Sequence, residues 1–437
     1  MHMPQPSRPA PILSGPPERA AAALWQSLQP EHWPLPLAEL PAGTALVGGA
    51  VRDGLLGRLA ERPDLDLVVV PEALALARSL ARRLGGSFVA LDAERSIARL
   101  VLQGWTIDLA RRVGDDLAAD LDRRDFTINA MALPLPAAAG EPPPVLVDPH
   151  GGWADLAARR LVAIREANLL EDPLRLLRGV RLAAELDFVI EPTTWGWMEK
   201  HHGRLGVVAG ERVLAELERL VAAPAGSPRL AAALAAGLLQ PWGGAGPEAA
   251  TVRLAGLTPE RARERGLTAE EVATALPLAR LATALGGEGL TRLHASRRLQ
   301  MRCRRLRRWR RELAEHEAAD LEGLGEAERL ELQRDLEEDL PALLLDLPPA
   351  TAQAALARWR DPADPLFHPR PPLDGRQLQR ELGMAAGPEL GQLLEALSRE
   401  RAFGRLSAAA PENLTEEQRQ EVLIAAQRLR SASGTPA

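Results

Sequence analysis

Asp64 and Asp66 open the apolar, β-branched run DLDLVVV. In an extended strand residues i and i+2 share a face, so the two carboxylates point the same way. Hard oxygen ligands paired at a strand end suit Mg²⁺. Two such ions side by side are what in-line phosphoryl transfer uses to activate the attacking oxygen and steady the leaving one. A third carboxylate, Asp108, lies in the strand-like WTIDLA (105–110) and faces away from its apolar neighbours Ile107 and Leu109. On a neighbouring strand it would complete a metal site. Taken singly, an Asp-x-Asp pair more often marks a solvated strand edge, so its surroundings matter.

Those surroundings begin with LVGGAVRD (46–53), which reads as strand, Gly48-Gly49 turn, then helix. Glycines let a backbone approach phosphates closely, and a helix N-terminus favours anions. Arg52 suits a triphosphate and Asp53 sits beside it; the bland alternative is an ordinary tight turn. The spacing lacks G-x-G-x-x-G and so excludes a dinucleotide fold of that type. In DRRDFTINAMA (122–132) Arg124 can meet phosphate, and Asp125 a ribose hydroxyl or the arginine itself. A capping interaction at a helix start is the alternative.

NLLEDPLRLLRGVRLAAEL (168–186) reads as a helix begun at Asp172-Pro173, with Arg175, Arg178 and Arg181 recurring every three residues on one slowly drifting face. Asp172 can accept from a base amino group while Arg175 donates to a ring nitrogen or carbonyl, which is readout of a nucleobase edge. A salt-bridged, solvated face is the alternative. Further on, RRLQMRCRRLRRWRR (297–311) holds nine arginines. Either it is a phosphate-binding stripe, with Arg304 and Arg308 as its test positions, or a solvated helix balanced by Glu312, Glu315 and Glu317.

The elements that must position these groups follow from periodicity. A helix is expected over 18–30, strands over Ala45–Val47 and Asp64–Val70, a short helix from Val51 to Leu56, a helix over 72–84, and strands at 87–91, 98–102 and 105–110. PLPAAAGEPPP (134–144) is a Pro/Gly loop that joins two strands, since VLVD (145–148) follows. Beyond residue 150 helical periodicity dominates, as at 211–222, 229–239 and 270–284, with a low-order stretch at 241–248. The fold expected is an α/β catalytic head with a mixed sheet, followed by an all-α body and tail. Its parts are a disordered leader (1–17), head (18–150), nucleotide-selecting neck (151–240), body and tail (241–430) and disordered end (431–437).

A chain of 437 residues calls for two or three domains. The single Cys303 excludes an internal disulfide and a cysteine-based zinc site, and fits a cytoplasmic location. No apolar run is long enough to span a membrane, and the Pro-rich start lacks the core of a signal peptide. Net charge is −6, and basic charge is almost wholly arginine, Lys200 being the one lysine. With aromatics at 3% and no tyrosine, base recognition must lean on arginine and backbone groups.

GGAVRD, Asp-x-Asp, RRDFTINAMA and EDPLRLLRGVR, in that order, resemble the head of class II tRNA nucleotidyltransferases and bacterial poly(A) polymerases, of the polymerase β superfamily. VDPHGGWADLAARRL (147–161) is similar to the family's linker and ERVLAELERLV (211–221) to its next helical motif, so the resemblance covers about 44–220. It implies that Asp64 and Asp66 bind two Mg²⁺, with Asp108 as third carboxylate. It further implies that Gly48, Gly49, Arg52 and Asp53 lie at the nucleotide, that Arg124 and Asp125 read the ribose, and that Asp172, Arg175, Arg178 and Arg181 select CTP or ATP and grip the triphosphate. A tRNA 3′ hydroxyl would attack the α-phosphate without a template.

Only LARRVGDDLAADLD separates Asp108 from Arg123. In this family a short interval marks enzymes that add only two C residues and leave the A to a partner enzyme. CC addition is therefore expected, with full CCA addition, poly(A) synthesis and a non-catalytic RNA-binding protein as alternatives. A fused His-Asp hydrolase is unsupported, as the C-terminal half has no HD pair.

Overall fold

Strict alternation in WTIDLAR sets the pattern of the head: Trp105, Ile107 and Leu109 are buried while Thr106, Asp108 and Ala110 are only partly so. The computed structural model describes residue 13 and residues 19–70, 72–136, 145–315, 320–406 and 413–433. It divides into two units, residues 1–208 and 209–437.

The first unit runs α1 (Ala20–Leu28), β1 (Ala45–Val47), α2 (Gly49–Leu55), β2 (Leu65–Val69), α3 (Ala73–Leu84), β3 (Ser87–Asp92), β4 (Ile97–Leu102), β5 (Trp105–Arg111), α4 (Leu117–Leu121) and β6 (Ala132–Pro134). It continues with α5 (Gly152–Ala157), β7 (Arg160–Leu161), α6 (Glu166–Glu171), α7 (Leu174–Leu186), β8 (Val189–Ile190) and α8 (Pro192–Lys200). Six strands form one mixed sheet in the order β3-β4-β5-β2-β1-β6. β2 and β5 are parallel and the other neighbours antiparallel. The parallel pair exists because α3 and the β3–β4 hairpin intervene, and α3 packs on β3, β4 and β5.

One sheet face is apolar throughout, with Leu46, Leu65, Leu67, Leu100, Ile107 and Leu109 buried. On the other face, Val47, Asp66, Asp108 and Arg99 stand in one register row across β1, β2, β5 and β4. Beside that row Ala45, Val47 and Val68 pack with Leu121, Ala130 and Ala132. Chain after β5 therefore closes one end of the polar face with an apolar plug.

The second unit is helical, including Gly210–Ala222, Gly226–Ala235, Ala269–Ala284, Arg297–Glu315, Pro388–Ala402 and Glu416–Ser433. Its last part has its own core of Leu373, Leu378, Leu393, Leu397, Val422 and Ala426. Arg280, 1% exposed, donates to the carbonyls of Val221, Ala223 and Leu257 and to Ser227. Burial pushes its guanidinium down to about 10.

Several expectations shift. The division into two units falls after Val208, so residues 151–208 lie within the first unit. Residues 241–248 are ordered: Gln240–Trp242 is a 3₁₀ turn, Gly244 bridges Leu285, and a helix starts at Pro247. VLVD contributes a single bridge, Val147 to Ala132, rather than a strand. Of the loop before it, 137–144 lie outside the described residues, as do most of the expected leader and 434–437. The final helix runs through Ser433, into the stretch expected to be disordered.

Candidate active site

Asp66 and Asp108 are direct partners on the parallel strands β2 and β5, and Asp64 stands exposed one residue before β2. Asp66 faces Gly48, whose φ of +73° is open to glycine and strained for other residues. A Cβ there would lie 2.9 Å from Asp66 Oδ2 and 3.7 Å from Arg124 Nη1. Burial raises the Asp66 carboxyl above its usual range; Arg124 and Arg178 oppose this, while the negative charges of Asp108 and Asp64 add to it. Asp108 is held in a two-point pair by Arg99, Nε to Oδ1 at 2.8 Å and Nη2 to Oδ2 at 2.9 Å. Among the described residues no three His, Cys, Asp or Glu side chains are grouped closely enough to hold a metal ion. Asp64 and Asp66 fit a hard divalent cation by donor type, and their mutual repulsion is what such a cation relieves. Asp108 joins them only by sharing or releasing Arg99.

A second set of groups forms one chain of hydrogen bonds and ion pairs. Arg52, 8% exposed, donates through Nε and Nη2 to both oxygens of Asp53, and through Nη1 to Asn129 Oδ1 at 2.6 Å. Asn129 Nδ2 donates to Asp125 Oδ1 at 3.1 Å, which also accepts the Phe126 amide. Arg178 Nε closes on Asp125 Oδ2 at 2.9 Å. Burial works against the Asp125 carboxylate, but Arg178, Asn129 and the Phe126 amide hold it below the usual range. Arg52 is thus fixed by protein partners on both edges, more firmly than a freely reaching phosphate ligand would be. Arg124 bonds Asp120 at 3.3 Å, and its buried Nε has no protein partner.

The helix expected to begin at Asp172-Pro173 starts at Leu174 as α7, and a separate helix not expected from the sequence, α6, ends just before it at Glu171. Arg175 Nη1 donates to the carbonyls of Arg123 (3.1 Å) and Asn168 (2.7 Å), and burial pushes its guanidinium down. Asp172 Oδ1 accepts the Leu174 amide at 3.3 Å. Arg181 departs from the expectation of a shared face. It is 2% exposed and pairs with Glu185 at 2.5 Å. A three-residue spacing turns back about 60° per step on a 3.6-residue helix. Two steps carry Arg181 about 120° from Arg175, into the interior.

Sequence reasoning missed Arg99, Asp120 and Asn129. Asn129 lay inside the quoted RRDFTINAMA motif, but nothing local shows that its amide reaches Arg52, 77 positions away. Arg99 carried no signal beyond one charge in the apolar IARLVL.

The arginine-rich helix Arg297–Glu315 resolves mainly into ion pairs. Arg302 meets Asp339, Arg305 meets Asp335, Arg308 meets Glu331 and Asp335, and Arg310 meets Asp346. The expected counter-charges Glu312 and Glu315 serve Arg308 and Arg311 along the helix, while 317 lies outside the described residues. Arg308 is therefore a poor phosphate ligand, its charge being matched by neighbouring acids. Arg304 is exposed and contacts Met301 Sδ at 3.7 Å.

The mixed sheet with its Asp-x-Asp strand lies in the part of the chain that resembles known proteins, and the helix after Asp172-Pro173 follows it. Residues 44–162 match the family described as the Poly A polymerase head domain, and 187–243 that described as the Probable RNA and SrmB-binding site of polymerase A. Over these segments the chain is similar to the poly(A) polymerase and tRNA nucleotidyltransferase family. It is 44% identical over 209 residues to a CC-adding tRNA nucleotidyltransferase of Synechocystis sp., covering 48% of this chain and 49% of the relative. It is 40% identical over 209 residues to an A-adding tRNA nucleotidyltransferase of Deinococcus radiodurans, covering 47% of this chain and 46% of that one. The match thus spans about half the length of these curated relatives. A solved structure of a CCA-adding enzyme in its apo form shares the fold, with a TM-score of 0.67 at 22% identity over 96% of this chain and 95% of that one. Among the described residues no helix is long and apolar enough to cross a membrane.

Proposed function

We propose that the protein is a tRNA nucleotidyltransferase that extends the 3′ end by C residues without a template. The observation that carries the reading is the in-register pairing of Asp66 with Asp108, with Asp64 before them and Gly48 and Arg124 against Asp66. Asp64 and Asp66 would hold Mg²⁺, which would supply positive charge to the attacking and leaving oxygens. Gly48 keeps the floor of the site low. Arg124, with its buried unpartnered Nε, attracts the triphosphate. Asp125, kept ionised by Arg178, accepts from the ribose. Arg175 and Asp172 read the base edge, the Nη1 side of Arg175 being anchored on two carbonyls. Arg181 takes a structural part with Glu185 rather than a phosphate. The 3′ oxygen then bonds to the α-phosphorus as its bond to the bridging oxygen of pyrophosphate breaks.

The restriction to two C residues rests on chain length. β5 ends at Arg111 and α4 begins at Leu117, so five residues connect them. Asp120 of α4 accepts the Val113 amide, which ties this connection down. No long segment remains there to reshape the base site for adenine. The CC-adding activity named for the relative in Synechocystis sp. supports this reading, and a separate A-adding enzyme would complete the end. The test offers tRNA ending at the discriminator base with CTP and ATP together, then sequences the 3′ ends. Products ending in CC are expected; efficient completion to CCA overturns the restriction, and long A tracts overturn the substrate.

A further inference from the structure

Three consecutive backbone carbonyls, those of Asp122, Arg123 and Arg124, lead directly into the Arg124-Asp125 pair. All three are taken by side chains from α6, α7 and the residue before α6. Asn168 Nδ2 donates to Asp122 O at 2.8 Å and to Arg124 O at 2.7 Å. Arg175 Nη1 donates to Arg123 O, and Arg165 Nη2 also reaches Asp122 O at 2.9 Å. The same Arg175 nitrogen donates to the carbonyl of Asn168 itself at 2.7 Å. Asn168 is fully buried and stands at the centre of this clamp.

The chemistry of the amide is fixed by its partners. An NH₂ group has two protons, and both are used by carbonyl oxygens; the amide oxygen in that place would face two acceptors. Asn168 Oδ1, at the other edge, is buried with no partner. The two bonds that Asn168 donates, with Oδ1 left unmet, tie α6 to the carbonyls on either side of Arg123.

We infer that Asn168 is a positioning residue for nucleotide selection, locking the base-reading Arg175 to the strap that carries Arg124 and Asp125. Its side chain sets the height of the strap on the sugar and phosphate side. Its own carbonyl sets the guanidinium on the base side. A nucleotide whose base fits Arg175 is then presented to Arg124 and Asp125 in one fixed frame. The inference rests on the base-reading role proposed for Arg175.

The experiment compares wild type, N168A, R175A and the double variant on tRNA lacking its terminus, with CTP, UTP, ATP and GTP supplied singly. For N168A the KM for CTP should rise about tenfold, the cost of an unmet hydrogen-bond set, with kcat at saturating CTP changed less. Preference for CTP over UTP and GTP should fall in both single variants. The double variant should be no less selective than the worse single one, because both act through one guanidinium. A folded N168A with wild-type preference and KM, beside an R175A that has lost preference, overturns the inference and leaves base reading intact. An R175A with unchanged preference overturns base reading, and the clamp with it. If N168A does not fold, N168S keeps one donor and should show a smaller loss of the same preference; unchanged preference there also overturns the inference.

Discussion

Replacing Gly48 by alanine tests the floor of the site. Gly48 has φ +73° and ψ −134°, a region nearly closed to residues with a side chain. Forcing alanine into it costs about 1–3 kcal/mol. The new Cβ would sit 2.9 Å from Asp66 Oδ2, about half an ångström short of ordinary contact. Asp66 must move, and a shift of that size at a reacting centre costs roughly tenfold in rate. Gly43 supplies the control. Its φ is +79°, yet a Cβ there meets nothing within 4 Å. G43A should lose about 1–2 kcal/mol for the positive φ alone. Urea unfolding should show comparable destabilisation of the two variants. Nucleotide addition to tRNA under native conditions should be unchanged in G43A and lowered about tenfold or more in G48A. A folded G48A as active as G43A would refute the argument that Gly48 exists to admit Asp66.

D64A and D66A should each abolish nucleotide addition while far-ultraviolet circular dichroism stays native; Mg²⁺-dependent addition retained in both variants sinks the metal assignment. Burial pushes the Cys303 thiol up to about 11, and its side chain is inaccessible. At pH 8 it should therefore be neutral and resist alkylation by iodoacetamide until the protein is unfolded; rapid labelling of the native protein contradicts its placement. R308E should lower the thermal midpoint, because it turns the pairs with Glu331 and Asp335 into repulsions, whereas R304E should leave it unchanged. Equal KM values for tRNA in R304E and wild type fit a structural helix, and a raised KM restores the phosphate stripe.

Local rules carried the sequence reading a long way. Alternation in WTIDLA placed Asp108 opposite Ile107 and Leu109. Asp172-Pro173 marked the helix start because proline fixes φ and disfavours helix in the residue before it. These features depend on neighbours a few positions apart, so the sequence states them directly. Partnerships over long separations were not legible. The pairing of Asp66 with Asp108 follows from strand register, which is set by α3 and a hairpin lying between them. Arg99 claims Asp108, Asn129 claims Arg52, and acids near 335 claim the arginine-rich helix, each through the path of the chain rather than any local pattern. Arg181 shows the limit most plainly. Its spacing from Arg175 suggested a common face, but whether a drifting position meets solvent or core depends on what packs against the helix, and here the interior and Glu185 receive it.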